Sequence, residues 1–145
     1  MTDEQINLVR ASFAKIEPVA EEAAVLFYAK LFDLDPDLRR LFKSGIREQG
    51  NKLMQMLAVA VNGLDRLEEI VPAVRALGVR HAAYGVRDRD YETVAKALLW
   101  TLEKALKKDF TAETKAAWTA VYQLLAETMK DAARQASENL PAKNN

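Results

Sequence analysis

The chain contains no cysteine. That excludes disulfides, thiolate-held zinc, iron–sulfur clusters and thiol nucleophiles. Glycine and proline are scarce, five and four in 145 residues, and widely spaced, so no stretch reads as an interdomain linker. There is no internal repeat and no low-complexity block. Charge of neither sign dominates: Lys+Arg and Asp+Glu are 21 each, so no global field draws the protein to nucleic acid or an anionic membrane. No uninterrupted apolar run approaches the roughly 20 residues that cross a bilayer. The opening MTDEQINLVR has no basic stretch leading into an apolar one and does not read as a secretory leader. These absences lead us to expect a cytoplasmic protein of one domain, with no nucleic-acid or membrane partner.

What is present is hydrophobic residue, 50% of the chain, spaced with a helical period nearly throughout. Ile6, Val9, Phe13 and Ile16 form one stripe, with Thr2 or Asp3 placed to cap it. Pro18 suits the first turn of a second helix carrying Ala23, Leu26, Phe27 and Leu31. Asp35-Pro36 marks a stop and a short turn leading to Leu41-Phe42. A helix from about Arg47 carries Leu53, Met56, Leu57 and Ala60 and ends near Gly63. The next carries Leu67, Ile70, Val71, Val74 and Leu77, with Pro72 in a first turn. Tyr91, Val94, Leu98, Leu102 and Leu106 predict a long fifth helix. Trp118, Val121, Tyr122, Leu125 and Met129 predict a sixth, with Thr111 and Thr114 at its start. No segment alternates as a strand would. The expected class is all-α, six long helices plus one or two short turns. The domain spans 1–136, and 137–145 is polar enough to read as a frayed tail.

His81 is the only histidine. It follows Leu77 by one turn and Val74 by two, so it continues an apolar stripe and points inward, just before Gly85. Two readings stay open at this point. It can be a core histidine satisfied by one backbone carbonyl. It can equally be an iron ligand, with its second ring nitrogen donating to the Leu77 carbonyl and fixing the tautomer.

Three segments weigh on that choice: VLFYAKLF at 25–32, LRRLFKSGIREQGNKLM at 38–54 and LGVRHAAYGVRDRDYETV at 77–94. Together, over about residues 4 to 130, the chain resembles the globins. The likeness is greatest to single-domain bacterial haemoglobins and the globin domain of flavohaemoglobins. The resemblance implies a globin fold around a haem pocket, with haem b held non-covalently; no C-x-x-C-H motif exists for covalent attachment. It puts His81 at the proximal iron position, 32 residues after Gln49 on the distal helix. Phe42 takes the place of the phenylalanine that stacks on haem, Tyr28 that of the distal tyrosine, and Tyr91 that of the tyrosine early in the following helix. Leu53, one turn after Gln49, faces the same side. Each also has a plainer reading: Phe42, Tyr28 and Leu53 as core, Gln49 as a solvated helix residue. Trp118 and Tyr122 read as packing.

From the same resemblance, Leu53, Leu57, Leu77, Val86, Val94 and Leu98 are candidates for the apolar walls. Lys52, Arg80 and Arg87 are candidates to meet the haem propionates. With no second histidine, a bis-histidyl iron cannot form, and ferrous iron is expected to be five-coordinate and open to O2, CO or NO. Tyr28 and Gln49 can both donate to bound O2. Such a bond is worth roughly 1.5–3 kcal/mol, which predicts high O2 affinity and slow release. Gly50 suggests either a ligand gate or close helix packing.

Three functions follow. The first is reversible O2 binding for storage, delivery or scavenging. The second is NO dioxygenation, which needs a separate reductase because the sequence given carries no G-x-G-x-x-G fingerprint. The third is a haemless globin-like sensor or interaction module. One departure separates this chain from flavohaemoglobins: the glutamate they place late in the last helix falls near Ala133, with Glu127 and Asp131 off register. That argues against a strongly basic proximal imidazole. Monomer and weak homodimer both stay open.

Overall fold

The computed structural model describes residues 1–139. Six α-helices run in chain order: α1 Asp3–Ile16, α2 Ala20–Leu34, α3 Ile46–Asn62, α4 Leu67–Tyr84, α5 Asp88–Leu106 and α6 Ala112–Asn139. Short 3-10 turns at Glu17–Val19, Pro36–Leu41 and Lys107–Asp109 connect them. No strand occurs among the described residues.

The helix starts follow local chemistry. Thr2 accepts from the Gln5 N–H while Gln5 reaches back to the Thr2 N–H, a reciprocal cap on α1. Pro18 sits in the turn that leads into α2, where its missing N–H costs nothing. The Asp35 carboxylate accepts from the Asp37 N–H and opens the turn that delivers Phe42. The Thr111 hydroxyl accepts from the Thr114 N–H at the start of α6. At the end of α4, Gly85 adopts φ 102°, a left-handed conformation suited to glycine, and stops the helix three residues after His81.

One expectation needs correction here. Pro72 is the sixth residue of α4, inside the helix rather than in its first turn. The helix begins earlier, at Leu67, with Glu68 and Glu69 in the first turn, so Pro72 forgoes an N–H bond one turn back. Of the expected tail, Ser137 to Asn139 belong to α6, and 140–145 lie outside the described residues.

Packing divides the interior. Helices α1, α2, α3, α5 and α6 share one core around Trp118, which is 1% exposed and donates through Nε1 to Ser12 Oγ at 2.8 Å. Helix α4 rests chiefly on α6. Gly78 makes that closeness feasible, since a Cβ there would stand 2.3 Å from the Met129 carbonyl oxygen. Although consecutive, α3 and α4 scarcely touch; α3 packs on α2 and α1 instead.

Candidate functional site

The parting of α3 from α4 leaves two apolar walls. On the α3 side, Phe42, Leu53, Leu57 and Val94 pack against buried Tyr28 and Leu98 as part of the main core. On the α4 side, Leu77 and Val86 pack with Val74, Tyr91, Ala126 and Met129 in a second cluster. Tyr122 and Leu125 of α6 touch both clusters and join them at the back. Proteins of this size ordinarily have one contiguous core, so the division is informative.

His81 stands on α4, the helix that carries the second wall, and is half-buried. Its Nδ1 is fully buried and has no hydrogen-bond partner. The Leu77 carbonyl, the acceptor expected one turn back, is the group that pulls the His81 pKa upward. Burial is the larger effect and lowers the pKa below the usual 6.5, and the Arg80 charge adds to the lowering. The imidazole is therefore neutral at pH 7, the form a metal binds. A buried polar atom without a partner is rare in proteins. Among the described residues no three His, Cys, Asp or Glu cluster to cage a metal. A single half-buried imidazole, with no other such ligand clustered beside it among the described residues, fits a metal that arrives with most of its ligands already attached.

Opposite His81's wall, α2, α3 and the turn after α2 build an aromatic nest. Tyr28 packs edge-on to Phe42 at 5.1 Å and to Phe27 at 5.0 Å, and Phe42 packs edge-on to Phe32 at 5.5 Å. The Tyr28 hydroxyl bonds to no protein group among the described residues, and burial pushes its pKa up to about 12. It remains a neutral phenol and a proton donor. Gly50 brings α3 against this nest: a Cβ on it would meet Ala24 Cβ at 2.8 Å and Tyr28 Cε2 at 4.0 Å. Close packing, not a gate, accounts for that glycine. Gln49, beside it, donates through Nε2 to Ser44 Oγ at 3.1 Å. A small apolar cavity of about 10 Å³ lies behind Leu53 and Leu57, reaching Phe27, Leu98 and Trp118; it is about one water-sized sphere.

The remaining candidates separate. Tyr91 is buried in the second cluster, its carbonyl accepting from Tyr122 Oη at 2.6 Å and Lys130 Nζ lying 5.8 Å over its ring. Burial pushes the Tyr91 hydroxyl up to about 12, with the Asp88 charge adding to it. Lys52 and Arg80 are exposed and form no ion pair among the described residues. Arg87 is instead committed to Asp90, itself 2% exposed, at 3.2 Å. The helix register could not show this pairing at the corner between α4 and α5.

Sequence reasoning passed over Ser44, Phe32, Lys130 and Gly78. A glycine inside a helix, three residues before His81, is a legible packing signal; the other three became visible only with the fold.

Comparison with known proteins settles the family. The globin family model matches residues 25–129. The chain belongs to the globin family. A flavohemoprotein of Vibrio cholerae is 26% identical over 134 residues; the match takes in 90% of this chain, which spans only about a third, 34%, of that relative's length. Neuroglobin of Tetraodon nigroviridis is 27% identical, over 85% of this chain and 86% of its own. Among solved structures, an engineered carbene transferase made from RmaNOD superposes with a TM-score of 0.86. RmaNOD is a candidate nitric oxide dioxygenase of Rhodothermus marinus; the two chains are 25% identical, over 95% of this chain and 96% of that one. Globins bind haem and diatomic gases, and the residues of this globin's cleft fit such a group. No helix among the described residues is long and apolar enough to cross a membrane.

Proposed function

We propose that this globin holds one haem b in the cleft between α3 and α4 and binds O2 reversibly there. The observation that supports this most is the divided core, with His81 on one wall and its buried Nδ1 unpartnered. His81 is the proximal ligand; Leu77, Val86 and Val94 line the apolar space beside it, and Phe42 offers an aromatic face. Tyr91 backs the proximal wall. Lys52 and Arg80 are free to meet the propionates, whereas Arg87 would have to share its charge with Asp90.

Iron supplies the open coordination position for O2, CO or NO; the chain's residues decide how long the ligand stays. Tyr28, a neutral phenol with a spare O–H, donates to bound O2. Gln49 joins it only by releasing Ser44, so Tyr28 is the principal donor. A charge-assisted bond of this kind is worth roughly 1.5–3 kcal/mol. Tyr28→Phe should therefore raise the O2 off-rate about ten- to hundredfold in stopped-flow displacement by CO. An unchanged off-rate would remove Tyr28 from the role.

The similarity to RmaNOD and to a flavohemoprotein favours a second reading. Bound O2 would react with NO to give nitrate, with a separate reductase restoring ferrous iron. Mixing the oxy form with NO separates the two functions: fast stoichiometric oxidation that continues as turnover under a supplied reductant marks a dioxygenase. Oxidation without turnover leaves O2 binding.

A further inference from the structure

A groove between α5 and α6 takes no part in the cleft. Its lining comes from residues 91–99 and 119–130, with nothing from α3 or α4. The two helices are consecutive, but α6 packs chiefly on α4. Where α6 faces α5, the side chains of Ala95 and Ala126 are single methyls, and an open space of about 250 Å³ results. A cavity of roughly 150 Å³ holds a benzene ring, and drug-sized ligands take about 300 Å³ or more. The groove therefore suits one ring with a short substituent. Its floor is preformed: Tyr122 Oη donates to the Tyr91 carbonyl at 2.6 Å, which ties α6 to the first turn of α5, and Leu99 extends the apolar surface. Lys130 is the one cation among the lining residues. It is half-buried, its Nζ lies 5.8 Å from the centre of the Tyr91 ring, and it forms no ion pair among the described residues. A cation over a ring face keeps its charge and its donors, so an anion that reaches the floor meets Lys130 there. Glu92 and Glu127 stand at the rim and are exposed. Water and salt screen them, yet they oppose a ligand that carries several negative charges.

We propose that this groove binds a small monocarboxylic acid with a single aromatic ring, or an apolar body of that size. The carboxylate meets Lys130, and the body lies over Tyr91, Tyr122 and Leu99. The site is separate from the α3–α4 cleft, so it stands or falls independently of haem. Tyr91, Tyr122 and Ala126 belong also to the second cluster, so the occupant touches side chains on which the α4 wall packs.

The test is calorimetry and amide-shift mapping of the full chain with 3-phenylpropionate, without haem and after haem addition. Saturable binding with a Kd of about 1 mM or tighter is expected, with shifts centred on 91–99 and 119–130 in both states. Lys130→Gln, and the neutral 3-phenylpropionamide on wild type, should each weaken binding by about fivefold or more, whereas Lys130→Arg should keep it. Ala95→Leu puts bulk into a half-buried position of the groove and should weaken binding by about tenfold or more. Lys96→Gln removes an exposed cation of α5 that does not line the groove and should bind as wild type does. Equal affinity of Lys130→Gln and wild type would overturn the proposal. So would tighter binding of phenethylamine than of 3-phenylpropionate, shifts centred on the α3–α4 cleft, or no saturable binding. If the chain takes up no haem, the cleft reading fails by itself, and the haem-free titration still decides the groove.

Discussion

Burial does two different things to the cleft's ionisable side chains. It holds Tyr28 protonated, with a pKa near 12, and it holds His81 unprotonated, with a pKa below 6.5. On the proposed reading, one is kept as a donor and the other as a ligand. For His81 the linkage has a definite sign. The folded pKa is depressed, so below about 6.5 the unfolded chain takes up a proton that the folded chain resists, and stability falls as pH drops through that value. Urea midpoints of the haem-free protein between pH 8 and pH 5 should fall further for wild type than for His81→Leu, which has no such group. Parallel profiles would mean that the imidazole is not desolvated. The depressed Asp65 and Asp90 carboxylates contribute at lower pH and in both proteins alike. His81, Phe42 and Tyr28 were legible in the sequence because each is a rare residue type at a fixed distance from others. The availability of Arg87 was not, because it depends on a carboxylate, Asp90, whose burial arises from the corner between α4 and α5.

At the level of the helices, α4 carries the site, and what holds α4 is its crossing with α6. Gly78 permits that crossing at backbone distance, 2.3–2.7 Å from Met129 main-chain atoms to an added Cβ. Main chain cannot swing aside as a flexible side chain does. Gly78→Ala should therefore cost about 1–3 kcal/mol, as overpacking does in a tight interior, and should move His81 with its helix. A chemical-denaturation midpoint and the haem-binding constant should both fall. Gly45→Ser is the contrast: an added Cβ meets nothing within 4 Å at the N-cap of α3, and a hydroxyl there suits a cap, so stability should hold or rise slightly. An unaffected Gly78→Ala would mean that α4 is not fixed by this crossing. Helix number and sequence spans were readable from the apolar period. The start of α4 was not, because Pro72 is a stronger local signal than the acidic first turn that precedes it, and packing on α6 carries the helix through the proline. Gly50 likewise gives the same sequence signal for a hinge and for a close contact; only Ala24, 26 residues away on α2, distinguishes them.

Taken whole, the molecule is a helical bundle whose buried apolar side chains fall into two clusters bridged by Tyr122 and Leu125. Fold class and family were open to sequence reasoning because the helical period and the spacing of Phe42, Gln49, His81 and Tyr91 run along one chain. The division of the core was not, since it arises from helices distant in the chain. The most direct test of the account is haem titration followed by absorption spectroscopy. Wild type should take up one haem per chain, give a five-coordinate ferrous spectrum on reduction, and form clean CO and O2 adducts. His81→Ala should lose the proximal-histidine signature and bind haem far more weakly. Uptake and spectra that are the same with and without His81, or no stoichiometric uptake by wild type, would contradict the assignment of the cleft.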